Sequence, residues 1–353
     1  MDKKTSILAV LPGMWARGGE ICTLNLLRGL HEQGYENIFF HAALRQKLPA
    51  DMELCLLPRL KEVCREVTWG IHGDTPWLSD ILSRRLADIN PDILLYSWDK
   101  SIPKYNYGNW TKSVLVVHGT AQNDFDGYNP QNTDAVVCVS QFAARMAQIP
   151  EHKLHVIPNG VPKAVGKNRC KEWGIPADAW VWCFVGGLTR LKRPEMLISA
   201  LSRRNSWKDE YCLFAGSIDG GMRLDEYATA LGVQDRCKFL GHIERPGDVY
   251  ESSNCLVITS ERESMPLTML EAMSVGLPIV ANNVGGISEV LWPTFAVVTD
   301  VTDEKEFDRA LTTIRLMSGD EAVASDAKHL WQERYSHTVM TNAYIQLFNR
   351  LLG

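Results

Sequence analysis

Short apolar runs alternate with amphipathic helical patterns along the whole chain of 353 residues. In the first half these runs are nearly continuous in valine, isoleucine and leucine, which is typical of parallel strands covered on both faces. Residues 20–33 carry apolar side chains at helical spacing and are followed by Gly34, which predicts a helix that ends there. The predicted strands of this half are Ser6–Leu11, Asn37–His41, Ile93–Tyr96, Val114–Val117, Ala135–Val139 and His155–Ile157.

The alternation pauses at Pro158–Pro162, and residues 163–169 have the composition of an interdomain linker. A second alternating series follows, and residues 338–351 close the chain with an amphipathic helix. Two successive series of strands and helices predict two doubly wound α/β domains with a cleft between them. The predicted strands of the second series are Trp180–Val185, Tyr211–Ala215, Cys237–Leu240, Cys255–Thr259, Pro278–Ala281 and Ala296–Val298.

Composition narrows the class of protein. The length suits two domains, and a net charge of −5 argues against a nucleic-acid binder. Nine cysteines without a Cys-x-x-Cys pair indicate reduced thiols in a cytoplasmic protein. The apolar run Ile7–Leu11 is too short for a signal peptide and is broken by Pro12 and Gly13. We therefore expect a cytoplasmic protein, with at most weak peripheral contact with the inner membrane, because residues 1–163 carry no polybasic segment.

The segment from Ser260 to Ala281 carries the strongest chemical signal. Glu263 and Glu271 are separated by seven residues, and Pro266 between them suits the first turn of a helix. The N–H groups of that first turn then face the preceding loop, which makes an anion site flanked by two carboxylates. A nucleotide sugar, with phosphates in the middle and hydroxyls at both ends, suits such a site. The alternatives are a chance pair of glutamates and a Glu271 that only compensates the helix dipole.

The residues around the two glutamates extend this pattern with Ser260, Leu270-Glu-Ala-Met273, Gly276 and Pro278. The whole segment resembles the nucleotide-sugar signature of the retaining GT-B glycosyltransferases, specifically glycosyltransferase family 4. The resemblance implies a GT-B fold of two Rossmann-like, doubly wound parallel-sheet domains that face a cleft. It implies an acceptor domain over residues 1–163, onto which the final helix 338–353 crosses back, and a nucleotide-sugar donor domain over residues 164–337.

Two features of the first half match this family. Gly18 and Gly19 follow the first strand and allow backbone to approach a phosphate, although a flexible turn explains them equally well. The resemblance places them beside the sugar diphosphate. His118 ends the strand Val114–Val117 at the edge where ligands bind in such sheets, although a lone histidine is more often structural. The resemblance implies that His118 forms a hydrogen bond with the donor sugar and binds no metal.

The cations of the site are expected in residues 185–192. Lys192 matches the family lysine that contacts the diphosphate, whereas the family arginine falls on Gly187 and is missing. The candidates for its replacement are Arg190 and Arg193, which lie in the same loop. For Arg193 a solvated surface charge is the favoured interpretation.

The resemblance assigns the remaining donor contacts. Glu271 takes ribose hydroxyls, and Glu263 takes hydroxyls of the transferred sugar. Backbone of the loop at His242 and Ile243 contacts the nucleobase, and residues 284–289 form a structural turn behind the site. The backbone beside the sugar comes from Ser264, Met265, Pro266 and Leu267.

Metal ligands are not expected. Asp124-Phe-Asp126 has the Asp-x-Asp form of the unrelated GT-A enzymes, but no apolar strand precedes it. GT-B members need no metal in the active site, so the resemblance implies no cofactor.

The sequence therefore predicts a retaining glycosyltransferase that uses a UDP-sugar, or alternatively a GDP-sugar. Its acceptor would be a glycan or a lipid-linked glycan of bacterial surface polysaccharide or lipopolysaccharide. A nucleotide-sugar epimerase of GT-B architecture and a non-catalytic sugar-nucleotide-binding module are the rivals. Several residues of the first half form either an acceptor face or ordinary core, namely Met14, Trp15, Trp69, Trp77 and Trp98.

Overall fold

The computed structural model divides the chain into two compact units, one of Met1–Gly160 with His337–Gly353, the other of Val161–Ser336. Each unit is built on one parallel sheet with helices, so the doubly wound α/β class is confirmed. The structure describes residues 1–14, 17–44, 55–71, 78–97, 111–120, 122–204, 207–219, 221–243 and 245–353.

The first unit contains a seven-stranded parallel sheet in the order β3-β2-β1-β4-β5-β6-β7. Strands β1 and β4 to β6 are buried almost throughout, as their apolar sequences predict. The strands are β1 Ile7–Leu11, β2 Ile38–Leu44, β3 Glu66–Ile71, β4 Ile93–Tyr96, β5 Lys112–Val117, β6 Ala135–Cys138 and β7 Leu154–Val156.

Strand β3 is absent from the sequence prediction. It is one of the two edge strands of the sheet, and its Trp69 is 46% exposed. Glu66, Thr68 and Gly70 interrupt its apolar run, and an edge strand that is partly open to solvent tolerates such residues. The signal used for the buried strands is therefore missing there.

Five helices of the first unit are described. The final helix packs against the first one, where Gly29 lies against the side chain of Thr341. The helices are α1 Gly18–Glu32, α2 Leu57–Lys61, α3 Leu78–Ile89, α4 Gln141–Met146 and α11 His337–Leu352.

The second unit contains a six-stranded parallel sheet in the order β10-β9-β8-β11-β12-β13. Its predicted strands are all confirmed, with ends that differ by a residue or two. The strands are β8 Trp180–Val185, β9 Glu210–Ala215, β10 Cys237–Gly241, β11 Cys255–Ile258, β12 Ile279–Asn282 and β13 Ala296–Thr299.

The helices of the second unit cover this sheet and contribute Leu197, Leu224 and Phe307 to its apolar core. They are α5 Glu195–Arg203, α6 Leu224–Ala230, α7 Pro246–Glu251, α8 Leu267–Val275, α9 Glu304–Met317 and α10 Glu321–Leu330, followed by a π-helical turn at Trp331–Tyr335.

The segment 163–169, expected to be a linker, is held on the second unit. The N–H of Ala164 donates to Ser274 Oγ on α8 at 2.9 Å, and the N–H of Lys167 donates to Asp248 Oδ1 on α7 at 2.9 Å. The backbone of Gly166 lies against that of Gly247 so closely that a side chain at either position would clash. Gly166 is therefore required by this close packing.

The sheet order of the second unit determines where its loops meet. Strand order reverses between the adjacent strands β8 and β11, and in open α/β sheets ligands bind at the carboxyl ends of such strands. The loop after β8 and the loop after β11 are therefore neighbours. The first contains Lys192 and the second contains Glu263.

Across the described residues, no helix combines the length and the apolar character that a membrane span requires.

Candidate functional site

Glu263 is the centre of a polar cluster at the carboxyl ends of β8 and β11. Lys192 Nζ lies 2.5 Å from Glu263 Oε1, and Ser260 Oγ donates a hydrogen bond to the same oxygen at 2.7 Å. The Glu263 side chain is 10% exposed and the Lys192 side chain is 32% exposed, so the carboxylate is largely shielded from water while the lysine stays accessible. The structure thus brings together two residues that the sequence analysis placed in one site through different motifs.

The loop that carries Lys192 is tied to β11 by its backbone. The N–H of Glu261 donates to Leu191 O at 2.9 Å, and Thr259 Oγ1 lies 2.8 Å from Lys192 O. The position of Lys192 is therefore coupled to the strand that leads into Glu263.

Arg193 is not a solvated surface charge, so that prediction is wrong. Its Nε donates to Thr259 O at 3.0 Å, and its second guanidinium nitrogen donates to Ser260 O at 3.2 Å. The sequence did not reveal this, because a charged residue beside Lys192 and Pro194 looks like ordinary loop surface.

Arg190, by contrast, has an exposed side chain. Position 187 has room for a side chain, because a Cβ there would meet only Thr189 Cγ2 at 3.5 Å. Packing therefore does not require a glycine at position 187.

Glu271 lies inside helix α8, which begins at Leu267 directly after Pro266, as the sequence predicts. The buried Tyr250 hydroxyl on α7 donates to Glu271 Oε2 at 2.7 Å. Burial and the neighbouring carboxylate raise the pKa of Tyr250, so this hydroxyl keeps its proton. Nothing in the sequence around Tyr250 signals this contact.

The turn after β12 packs directly behind Glu263. Gly285 has a φ of +57°, and a Cβ there would lie 1.6 Å from the carbonyl oxygen of Glu263. The N–H of Gly286 donates to that same oxygen at 3.2 Å. These two glycines let the turn support the backbone of Glu263.

The remaining donor-site candidates follow β10 and β11. Gly241 has a φ of +65° and its carbonyl accepts from the N–H of Gly216, which turns the chain so that His242 is exposed. Ser264 and Met265 are buried beside the start of α8.

In the first unit, Gly19 packs on His118. A Cβ at Gly19 would lie 3.2 Å from Cδ2 of the His118 ring, whereas one at Gly18 would meet nothing within 4 Å. Both ring nitrogens of His118 are buried and have no hydrogen-bond partner among the described residues. Burial lowers the pKa of His118 to about 4, so the ring is neutral near pH 7.

Glu20, in the first turn of α1, is a buried polar residue that sequence reasoning missed. It is 2% exposed, and neither carboxylate oxygen has a hydrogen-bond partner in another described residue. Burial raises the pKa of Glu20 to about 7, although Arg17 acts in the opposite direction. An acidic residue directly after two glycines was the available signal.

Asp124 lies on a 3₁₀ turn at Gln122–Phe125, and its carboxylate sits where a side chain of Gly119 would project. Over the described part of the chain, no group of three His, Cys, Asp or Glu side chains is arranged to hold a metal ion.

The acceptor-face candidates are only partly described. Met14 is fully buried, so it belongs to the core, and Trp69 is exposed on β3. Trp15, Trp77 and Trp98 lie outside the described residues.

Two family models match the chain. The model for glycosyl transferases group 1 matches residues 167–325, and the model for glycosyltransferase family 4 matches residues 16–164. Among curated proteins, an O-antigen biosynthesis glycosyltransferase of Escherichia coli, WbnH, is 28% identical over 63% of this chain and 60% of its own length. The chain covers between 39% and 60% of the length of this and three further curated relatives.

Solved structures extend the likeness over the whole fold. A glycosyltransferase from Rickettsia africae superposes with a TM-score of 0.83 at 18% identity, covering 99% of both chains. HepE of Anabaena, solved in complex with UDP, has a TM-score of 0.82 at 17% identity, covering 98% of this chain and 100% of its own. With the two sheets and both family models in agreement, the chain belongs to the glycosyltransferases of the GT-B fold, in the group 1 and family 4 lineage.

Proposed function

We propose that the protein transfers a sugar from a nucleotide-sugar donor, with a UDP-sugar favoured, to a glycan or lipid-linked glycan acceptor with retention of configuration. The observation that carries the proposal is that Lys192 and Ser260 both donate to the same oxygen of Glu263. A cation, a carboxylate and the start of helix α8 then lie at the carboxyl ends of adjacent strands. Such a set suits a ligand that combines phosphates with hydroxyls.

The roles follow from the chemistry of each group. The Lys192 ammonium has three N–H donors, so one can stay on Glu263 while others meet the diphosphate. Charge on the leaving phosphate grows as the glycosidic bond breaks, and a fixed cation lowers the barrier by stabilising that charge. Since residue 187 is glycine, Lys192 carries more of this duty than in relatives with an arginine there.

The carboxylates of Glu263 and Glu271 accept hydrogen bonds from hydroxyl groups of the nucleotide sugar. Oε1 of Glu263 already accepts from Lys192 and Ser260, which leaves Oε2 for a hydroxyl of the transferred sugar. Glu271 accepts from Tyr250 through one oxygen and takes ribose hydroxyls. Neutral His118 in the first unit serves as a hydrogen-bonding group for the sugar. We infer attack by the acceptor hydroxyl on the face that the phosphate leaves, assisted by that phosphate, without a metal ion.

The choice of uridine draws support from HepE, a fold neighbour solved with UDP and with UDP-glucose. A role in surface polysaccharide synthesis draws support from the O-antigen relative. We propose that the protein acts on the cytoplasmic side of the membrane.

A thermal-shift panel of UDP, GDP and ADP tests the donor class. A ligand present at a hundred times its dissociation constant stabilises the folded protein by about 2.7 kcal/mol. We expect the largest shift with UDP. Equal shifts, or none, with all three nucleotides would contradict the proposal. A larger shift with GDP would show that the donor is a GDP-sugar and not a UDP-sugar.

A further inference from the structure

Arg193 adopts a backbone conformation that its residue type disfavours. Its φ is +52°, in the left-handed region, where a residue with a Cβ costs about 1–2 kcal/mol. The turn that requires it is tight, because the N–H groups of Lys192 and Arg193 both donate to Thr189 O at 3.0 Å. Glycine would occupy this position without strain. An arginine here therefore points to a contribution from its side chain.

That side chain bridges the loop after β8 to the end of β11. The guanidinium donates to two successive carbonyl groups, those of Thr259 and Ser260, at 3.0 and 3.2 Å. In return, Thr259 Oγ1 lies 2.7 Å from the carbonyl oxygen of Arg193. The bridge is thus made in both directions between the same two segments.

The segment that receives the bridge is itself anchored. Asn282 Nδ2, on the neighbouring strand β12, donates to Ser260 O at 2.9 Å, and Asn282 Oδ1 accepts from the N–H of Val301 at 3.2 Å. Arg193 therefore ties the Thr189–Arg193 turn to a framework of two strands.

Each of the two segments joined by Arg193 contributes one side chain that contacts the same atom. Lys192 immediately precedes Arg193 and reaches Glu263 Oε1, and Ser260 reaches the same oxygen. We propose that Arg193 is a positioning residue that holds the Lys192 ammonium beside Glu263, ready for the diphosphate. This inference rests on the role given to Lys192 in the proposed function.

The test compares the full chain with three site variants by calorimetry, using UDP and uridine as probes. UDP carries the charge that the leaving group acquires, whereas uridine lacks the phosphates, so the ratio of their affinities isolates the contribution of the diphosphate. The variants are Lys192→Ala, Arg193→Gly and Arg193→Lys. Asn90→Gly is the matched control, because Asn90 has a φ of +47° and lies in the first unit after α3.

Arg193→Gly removes the strain together with the bridge, so we expect a stably folded protein. Its UDP affinity should be roughly three- to tenfold lower, as for losing one ordered pair of hydrogen bonds, with uridine affinity unchanged. Arg193→Lys keeps the charge but cannot span both carbonyl groups, so it should lose nearly as much. Asn90→Gly should bind both probes normally.

The variants distinguish failure of the Arg193 positioning role from failure of the Lys192 diphosphate role. If Lys192→Ala weakens UDP binding and Arg193→Gly does not, the positioning role is wrong and the proposed function stands. If Lys192→Ala leaves UDP binding unchanged, the diphosphate role of Lys192 itself fails. Equal losses for UDP and uridine would reduce Arg193 to a general structural role, and normal UDP binding by Arg193→Lys would overturn the bridging geometry in favour of charge alone. Should Arg193→Gly fail to fold, Arg193→Lys decides the question.

Discussion

Lys192 forms an ion pair with Glu263. We expect its ammonium group to stabilise the transition state more than the bound donor in the ground state. Charge on the leaving phosphate rises during bond cleavage, so removing the ammonium should cost turnover more than binding. We predict that Lys192→Ala lowers kcat by about a hundredfold or more, as for the loss of one preorganised charge stabiliser. The affinity for the intact donor should fall much less.

The measurement is steady-state kinetics with varied donor, and Arg223→Ala is the control for loss of a cation. Arg223 pairs with Glu226 on the exposed surface of α6, where both side chains are more than half exposed. A Lys192→Ala enzyme with normal kcat would remove the leaving-group role.

Glu271 is expected to contribute through the ribose of the donor. Replacing it with alanine removes a charged acceptor, and such hydrogen bonds contribute about 1.5–3 kcal/mol. We therefore predict that Glu271→Ala weakens nucleotide binding by roughly 1–3 kcal/mol in calorimetry. Tyr250→Phe, which keeps the carboxylate, should weaken it less. Unchanged affinity in a folded Glu271→Ala protein would refute the assignment.

Glu20 is expected to make the stability of the folded protein depend on pH. Its pKa is raised from 4.5 to about 7 by burial, so the folded state holds a proton that the unfolded chain releases above pH 4.5. Stability from this group therefore falls as the pH rises from about 4.5 to 7 and stays low above that.

Because glutamine stays neutral at every pH, Glu20→Gln should raise the apparent Tm at pH 8 and leave it nearly unchanged at pH 4.5. The gain at pH 8 is on the order of 3 kcal/mol. Thermal melts at both values measure it, with the exposed Glu36→Gln as control. An equal effect at both pH values would show that Glu20 is not a desolvated carboxyl.

At the scale of elements, the turn between β12 and β13 is expected to fix the backbone of Glu263. Gly285→Ala would bring a methyl group to within 1.6 Å of the Glu263 carbonyl oxygen, which cannot be accommodated unless the backbone moves. We predict a lower Tm and a nucleotide affinity reduced by tenfold or more, which corresponds to about 1.4 kcal/mol.

Gly232→Ala is the control that separates the effect of backbone strain from the effect of the steric clash at Gly285. Gly232 has a similar φ of +68°, but nothing lies within 4 Å of an added Cβ. It should cost about 1 kcal/mol of stability and leave nucleotide binding unchanged. Equal effects of the two substitutions would contradict the supporting role of the turn.

Elements that are buried on both faces were predictable from the sequence. Strands such as β4 and β11 are four-residue runs of apolar side chains, and burial alone explains their composition. The edge strand β3 was missed because Glu66, Thr68 and Gly70 interrupt its apolar run. The other edge strands, β7, β10 and β13, were predicted, so an edge position hides a strand only where polar residues break the apolar pattern.

In the candidate site, the sequence predicted those residues whose chemical type and local spacing are enough to indicate a ligand. Glu263, Glu271 and the helix start after Pro266 are examples. Tyr250 and Arg193 were not predictable, because their contacts join residues 21 and 66 positions apart in the chain. Such pairings depend on strand order, which local sequence patterns do not encode.

At the scale of the whole molecule, we expect transfer without a metal ion, since Lys192 supplies a fixed cation. Activity should therefore survive excess EDTA. If chelation abolished transfer and magnesium or manganese restored it, Asp124 and Asp126 would have to be reconsidered as ligands.

Acceptor-dependent release of UDP from a UDP-sugar is the property that separates a retaining glycosyltransferase from its rivals. Release is measured with and without a glycan or lipid-linked glycan acceptor, and the anomeric configuration of the product is read by NMR in the same reaction. We predict release that depends on the acceptor, survives EDTA and gives a product with the configuration of the donor. Release that ignores the acceptor, conversion of the donor into its epimer, or a product of inverted configuration would contradict the proposed function.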